Sequence, residues 1–150
     1  MKRHGILNPA LASLVASVGH GQLIGIADAG LPIPSDLLPI DLALVRGVPD
    51  WPAVIAAVAP ELVVEGYVLA EESRAACPEF VAALADAFPG ATASWVPHSD
   101  FKTLCGTARG VVRTGSTTPY SNVLLRSGVD FDSARPSPRA TPSADHFRGP

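Results

Sequence analysis

Lysine is almost missing from this chain of 150 residues: of eleven basic side chains only Lys2 and Lys102 are lysines, against fourteen acids. The formal net charge of −3 leaves no basic field for nucleic acid. Cysteine is just as scarce. Cys77 and Cys105 lie in different segments, with no CxxC pair and no Cys/His spacing of a metal site. They read as reduced, partly buried thiols, and no metal is expected. Long apolar runs are missing too, because Pro60, Glu61 and Glu65 break the stretch from Ala53 to Ala70 below the length of a membrane span. Lys2-Arg3-His4 ahead of Ile6 to Val18 superficially resembles a secretory leader, yet Asn8-Pro9 interrupts the run and no small-residue cleavage pattern follows. A soluble, cytoplasmic protein with no nucleic-acid and no membrane partner is expected.

What is present fits one ordinary domain: 47% apolar and 17% charged residues over a length that supports a real core. Asn8 as N-cap and Pro9 at the first helical position open an amphipathic helix with Leu11, Leu14, Val15 and Val18 on one face. Leu23 to Ala27 reads as a short buried strand, followed by a proline-rich corner from Gly30 to Pro39. Asp50 caps a helix running to about Ala59, stopped by Pro60. Leu62 to Ala70 is a valine-rich strand, Pro78 to Phe88 a helix, Thr92 to Val96 a strand, Ser99 to Thr107 a helix, and Gly110 to Thr114 a strand. A hydroxyl-rich loop, Gly115 to Asn122, leads to a last strand at Val123 to Arg126. This alternation predicts a single-domain, layered α/β fold with parallel pairings over residues 1–131. Residues 132–150, rich in Pro, Ser, Ala and Arg, read as a disordered tail.

Polar groups gather at strand ends, where α/β folds build their sites. His20, in a glycine-flanked turn, and Asp28 bracket the first strand. His98 follows the strand at 92–96, with Lys102 one helical turn on, and Tyr120, Ser121 and Asn122 precede the last strand. Imidazoles, a carboxylate, an ammonium, a phenol and an amide suit a polyhydroxylated ligand needing donors and acceptors on several sides. Histidine also moves protons near neutral pH, so acid–base chemistry on a small polar ligand is suggested. Each residue has a plainer role open to it. His20 could satisfy a turn, Asp28 could brace the Ala29-Gly30 corner, Lys102 could be a solvated surface lysine, and Tyr120 could pack on the core. Glu71-Glu72 is expected to cap the helix that follows the second long strand, and His4 and His146 to be inert. G-H-G-Q-L-I-G, from residue 19, is not a dinucleotide fingerprint, since its third glycine is one position late and it precedes a strand.

Several segments in order resemble the RbsD/FucU family, and within it the ribose pyranase branch: L-N at 7–8, G-H at 19–20, D-A-G-L-P-I-P at 28–34, I-D-L-A-L-V-R-G-V-P at 40–49, A-E-E at 70–72, H-S-D-F-K at 98–102, R-T-G at 113–115 and T-P-Y-S-N at 118–122. The likeness runs nearly collinearly to Phe131. It implies interconversion of the β-pyranose and β-furanose forms of D-ribose by acid–base ring opening and closing, without cofactor. His20 would be the proton donor; Asp28, His98, Lys102, Tyr120 and Asn122, with neighbouring Ser121, would line the sugar site. It also implies a homo-oligomer, a pentamer or decamer, with sites near subunit contacts, and a supply of furanose to a kinase. Two departures stand out. Gln22 and Ser116 occupy positions that are usually acidic in the family, and Gln22 cannot stabilise an imidazolium by charge. A fucose-type or other aldose mutarotase, or a non-catalytic monosaccharide-binding module, are the alternatives.

Overall fold

The computed structural model describes residues 1–37 and 39–131; the expected tail, 132–150, lies outside the described residues. The chain forms α1 (Pro9–Ser17), β1 (Leu23–Ala27), β2 (Ile40–Asp41), α2 (Trp51–Val58), β3 (Val64–Ala70), α3 (Ser73–Ala76), α4 (Pro78–Ala87), β4 (Thr92–Val96), α5 (His98–Cys105), β5 (Gly110–Arg113) and β6 (Val123–Ser127). Local chemistry accounts for the helix starts. The Asn8 side chain accepts from the Leu11 N–H at 2.9 Å, the Asp50 side chain accepts from the Trp51 N–H at 2.8 Å, and α1, α2 and α4 each carry a proline in their first turn. Among the described residues no helix is long and apolar enough to cross a membrane.

The six strands form one sheet in the order β2-β5-β1-β6-β3-β4. The pairs β1–β5, β2–β5 and β3–β4 are parallel, as expected, but β6 runs antiparallel to both β1 and β3. The expected parallel pairings hold for those three pairs and fail for β6, and the reason is physical. Residues 114–122 carry no helix and are too few for the crossover of about a dozen residues that a parallel return needs. β6 therefore reverses direction and inserts between the two parallel halves. β2 and α3 had no counterpart in the sequence reading, being two and four residues long.

Side chains alternate across the sheet with period two. Ile24, Ile26, Tyr67, Leu69, Val112, Val123 and Leu125 face a cluster with α1, α2 and α4, supplied by Leu11, Leu14, Val54, Val58, Phe80 and Leu84. Ala27, Val68, Ala70, Val111 and Leu124 face the other side, against Phe101 and Cys105 of α5. The result is helix, sheet, helix. Cys105 lies in the second layer, where burial pushes its thiol up to about 11, and burial raises the Cys77 thiol as well. Both are free thiols, and a thiol reagent near pH 8 is expected to label neither until the protein unfolds; rapid labelling of the native protein would contradict this packing.

Phe80 is fully buried, with the Trp51 ring edge-on at 5.1 Å. Phe80→Ala is expected to cost about 3–5 kcal/mol, read as a lowered midpoint in chemical denaturation.

Candidate active site

β6 is antiparallel to its neighbours, so its start lies at the same sheet edge as the C-terminal ends of β1, β3, β4 and β5. The loop after β1, the start of α5 and the loop between β5 and β6 enclose a cavity of about 540 Å³ lined by residues that include Asp28, Leu31, His98, Ser116, Tyr120 and Asn122. That size falls in the range of small-molecule sites.

Asp28 and Asn122 form its base. The Asp28 N–H donates to Asn122 Oδ1 at 2.7 Å, and Asn122 Nδ2 donates back to Asp28 Oδ2 at 2.8 Å. Asp28 Oδ1 accepts from the Gly30 N–H at 2.9 Å, so the carboxylate braces the Ala29-Gly30 corner and faces the cavity as well. Each carboxylate oxygen takes one hydrogen bond and keeps further acceptor capacity for a ligand. The end of β5 is tied to the same place, through Thr114 Oγ1 donating to the Ala27 carbonyl at 2.9 Å and the Ala29 N–H donating to the Ser116 carbonyl at 2.9 Å. Gly115 has a steric reason to be glycine. A Cβ there would lie 2.6 Å from the Val48 nitrogen and 2.7 Å from the Val45 carbonyl oxygen, both backbone atoms that cannot swing aside.

One wall is aromatic. The half-buried His98 ring stacks on Phe101 at 6.3 Å and meets Tyr120 edge-on at 5.0 Å. Tyr120 has a left-handed backbone, φ +62°, costly for a side-chain residue, and its carbonyl accepts from the buried Ser73 hydroxyl at 2.9 Å. His98 Nδ1 is buried without a hydrogen-bond partner among the described residues. Burying such an atom unpaired is costly, and a hydroxyl of a ligand seated in the cavity would satisfy it. The His98 N–H donates to the Glu72 carboxylate at 3.1 and 3.3 Å. Glu72 does occupy the N-cap position of α3, the short helix that directly follows, but its side chain makes no capping bond there and is turned to the first N–H of α5 instead.

Asp28, His98, Tyr120 and Asn122 therefore share one cavity. Ser121 is wholly buried and does not line it; its hydroxyl donates to the Thr118 carbonyl at 2.8 Å and lies 3.3 Å from that of Ser116, holding the loop in shape. Lys102 does not line the cavity either, but stands exposed four residues after His98, on the same side of α5. His20 is elsewhere. It precedes β1 while Asp28 follows it, and a five-residue strand alone spans about 13 Å. At that opposite edge His20 Nε2 lies 2.8 Å from Glu65 Oε2. The Gln22 side-chain oxygen accepts from the Gly19 N–H at 2.9 Å.

Such a cavity in an α/β domain, polar at its base and aromatic on one wall, is suited in size and chemistry to a small hydroxylated molecule. The chain belongs to the RbsD / FucU transport protein family, whose model matches residues 1–130. It is 47% identical over 133 residues to the D-ribose pyranase of Geobacillus kaustophilus, covering 89% of this chain and 98% of that one. Its fold matches the structure of Bacillus subtilis RbsD complexed with D-ribose, with TM-score 0.83 and 43% identity over 87% of this chain and all of the other. The fucose mutarotase of Streptococcus pneumoniae, solved with L-fucose, shares the fold with TM-score 0.72 at 22% identity, covering 86% and 99% of the two chains.

Asn122→Ala leaves the Asp28 N–H without an acceptor and one carboxylate oxygen without a donor. A loss of about 1–3 kcal/mol is expected by chemical denaturation, and unchanged stability would show that the pair does not hold the two strand ends together.

Proposed function

We propose that this chain interconverts the β-pyranose and β-furanose forms of D-ribose, as a D-ribose pyranase does. The carrying observation is the cavity built on Asp28 and Asn122 and walled by His98 and Tyr120. The near full-length identity to a D-ribose pyranase supports the same substrate. In ring opening, a proton reaches the ring oxygen O5 as the C1–O5 bond breaks, while the anomeric hydroxyl loses its proton and becomes the aldehyde oxygen. After rotation, O4 attacks C1 and gives up its proton, and the aldehyde oxygen takes one back. Nothing is oxidised or reduced.

His20 supplies and recovers the proton at the ring oxygens. The Asp28 carboxylate, its two oxygens already oriented by Gly30 and Asn122, accepts from the anomeric hydroxyl. His98 Nδ1, the Tyr120 phenol and the Asn122 amide hold the remaining hydroxyls, with Lys102 at the rim. Positioned proton transfer contributes on the order of 10²–10⁴-fold in rate, enough for a reaction that already proceeds in water.

His20 and the cavity lie at opposite edges of the sheet, so one copy cannot hold both around a sugar. The active protein is therefore a homo-oligomer in which His20 of one copy reaches the cavity of another. The exposed Leu44, Val45 and Val48, on the loop packed against Gly115 beside the cavity, fit such a contact. The two buried free thiols suit a reducing, cytoplasmic setting.

NMR saturation transfer between the pyranose and furanose anomeric signals of D-ribose tests the reading. The wild-type protein is expected to accelerate exchange, and His20→Ala to lose most of the acceleration while keeping its fold. Binding of ribose with no acceleration by the wild type would instead leave a monosaccharide-binding module. Preferential exchange of L-fucose would leave a mutarotase of other specificity.

A further inference from the structure

His20 is held in two independent ways. Its backbone sits in a turn clamped to the end of β6: the Gly21 N–H donates to the Ser127 carbonyl at 2.8 Å, the Ser127 N–H donates to the Gln22 carbonyl at 2.9 Å, and the Ser127 hydroxyl donates to the Gly19 carbonyl. The Gln22 side chain closes the same turn onto the Gly19 N–H. Its ring is held from a third strand, because Glu65, near the start of β3, places Oε2 at 2.8 Å from Nε2. An ion pair as open as this one, 60% exposed at the histidine and 38% at the glutamate, adds little to stability. Its effect is on orientation. A carboxylate only accepts, so Nε2 carries the hydrogen, and Nδ1 is the ring atom free to serve a substrate.

We propose that Glu65 is a positioning residue for His20, holding the imidazole by its Nε2–H so that Nδ1 exchanges the proton with the sugar. The inference rests on the role of His20 given above. When the pyranose opens, Nδ1–H protonates O5 as C1–O5 breaks, leaving the neutral Nε2–H tautomer still bound to Glu65. When the furanose closes, Nδ1 takes the proton released by the O4 hydroxyl as C1–O4 forms, and the imidazolium is restored. Glu65 does for this ring what an oriented carboxylate does for histidines in other proton-transfer sites, fixing tautomer and direction. It also gives His20 a carboxylate partner although residue 22 is glutamine.

Three variants of the full chain, Glu65→Leu, Glu65→Gln and His20→Ala, test this through kcat and KM for ribose exchange and through ¹⁵N NMR of the imidazole. Glu65→Leu is expected to lower kcat at least about tenfold with KM nearly unchanged, because the sugar-holding groups lie at the other edge. Its ¹⁵N spectrum should lose the Nε2–H preference. Glu65→Gln still offers an oxygen to Nε2–H and should recover part of kcat and keep the tautomer, which a merely structural role would not produce. If His20→Ala is inactive while Glu65→Leu keeps the wild-type kcat or the wild-type tautomer, the positioning role is overturned and the role of His20 stands. If His20→Ala itself exchanges ribose at the wild-type rate, the acid role fails and the positioning role goes with it.

Discussion

Two hydrogen bonds between Asp28 and Asn122, residues 94 apart in sequence, hold the functional end of this molecule together. They tie the residue that directly follows β1 to the one that directly precedes β6, the strand that runs against its neighbours. Because β6 is antiparallel, its start meets the ends of the parallel strands, and the loop from Thr114 to Asn122 folds over the gap as the cavity's rim. The pairing satisfies a buried amide and a buried carboxylate at once, which is why neither can be exchanged alone without leaving a polar group stranded. The Thr114 and Ser121 hydroxyls are spent on keeping that loop in shape. Among the groups with capacity left for a ligand are the Asp28 oxygens and His98 Nδ1, and both belong to the cavity.

The same sheet imposes a separation. A strand is a rigid spacer, and β1 carries His20 at one end and Asp28 at the other. The histidine is set in its own small frame, made from the end of β6 and the start of β3, while the sugar-sized cavity is built from loops at the opposite edge. Under the proposed function, two half-sites at opposite edges would be joined by repetition, one copy offering its histidine edge to the cavity edge of the next. Heterologous contacts of that kind close into rings when the rotation between copies allows it. Under that proposal the tasks are separate as well: the cavity would hold hydroxyls, and the histidine edge would hold one ring in one orientation.

Much of this was legible in the sequence, for reasons that can be named. Asn8-Pro9, Asp50 with Pro52, and Pro78 mark helix starts by local chemistry, and the helices are there. Asp28, His98, Tyr120 and Asn122 stood at strand ends, where loops of an α/β fold converge, and the structure brings these four to one cavity. What escaped was long-range or short. β2 has two residues and no pattern to show. The direction of β6 depends on a link that carries no helix, a length argument that could have been made from residues 114–122 alone. Glu65 reads as one more charge on a half-exposed strand until β3 is set beside β6 and β1, and Glu72 looks like a cap for its own helix until α5 is placed next to it. Local rules find caps and periodicity; partners that meet through a sheet need the sheet.

The proposed reaction requires the acid and the cavity to come from different copies. The most direct measurement is ribose ring exchange in a mixture of two variants that are each inactive alone, His20→Ala and Asp28→Asn, unfolded together and reassembled. A copy lacking Asp28 keeps its histidine edge and a copy lacking His20 keeps its cavity, so random mixing should restore about a quarter of the wild-type rate. Mixed assemblies that form but show no exchange would contradict the account.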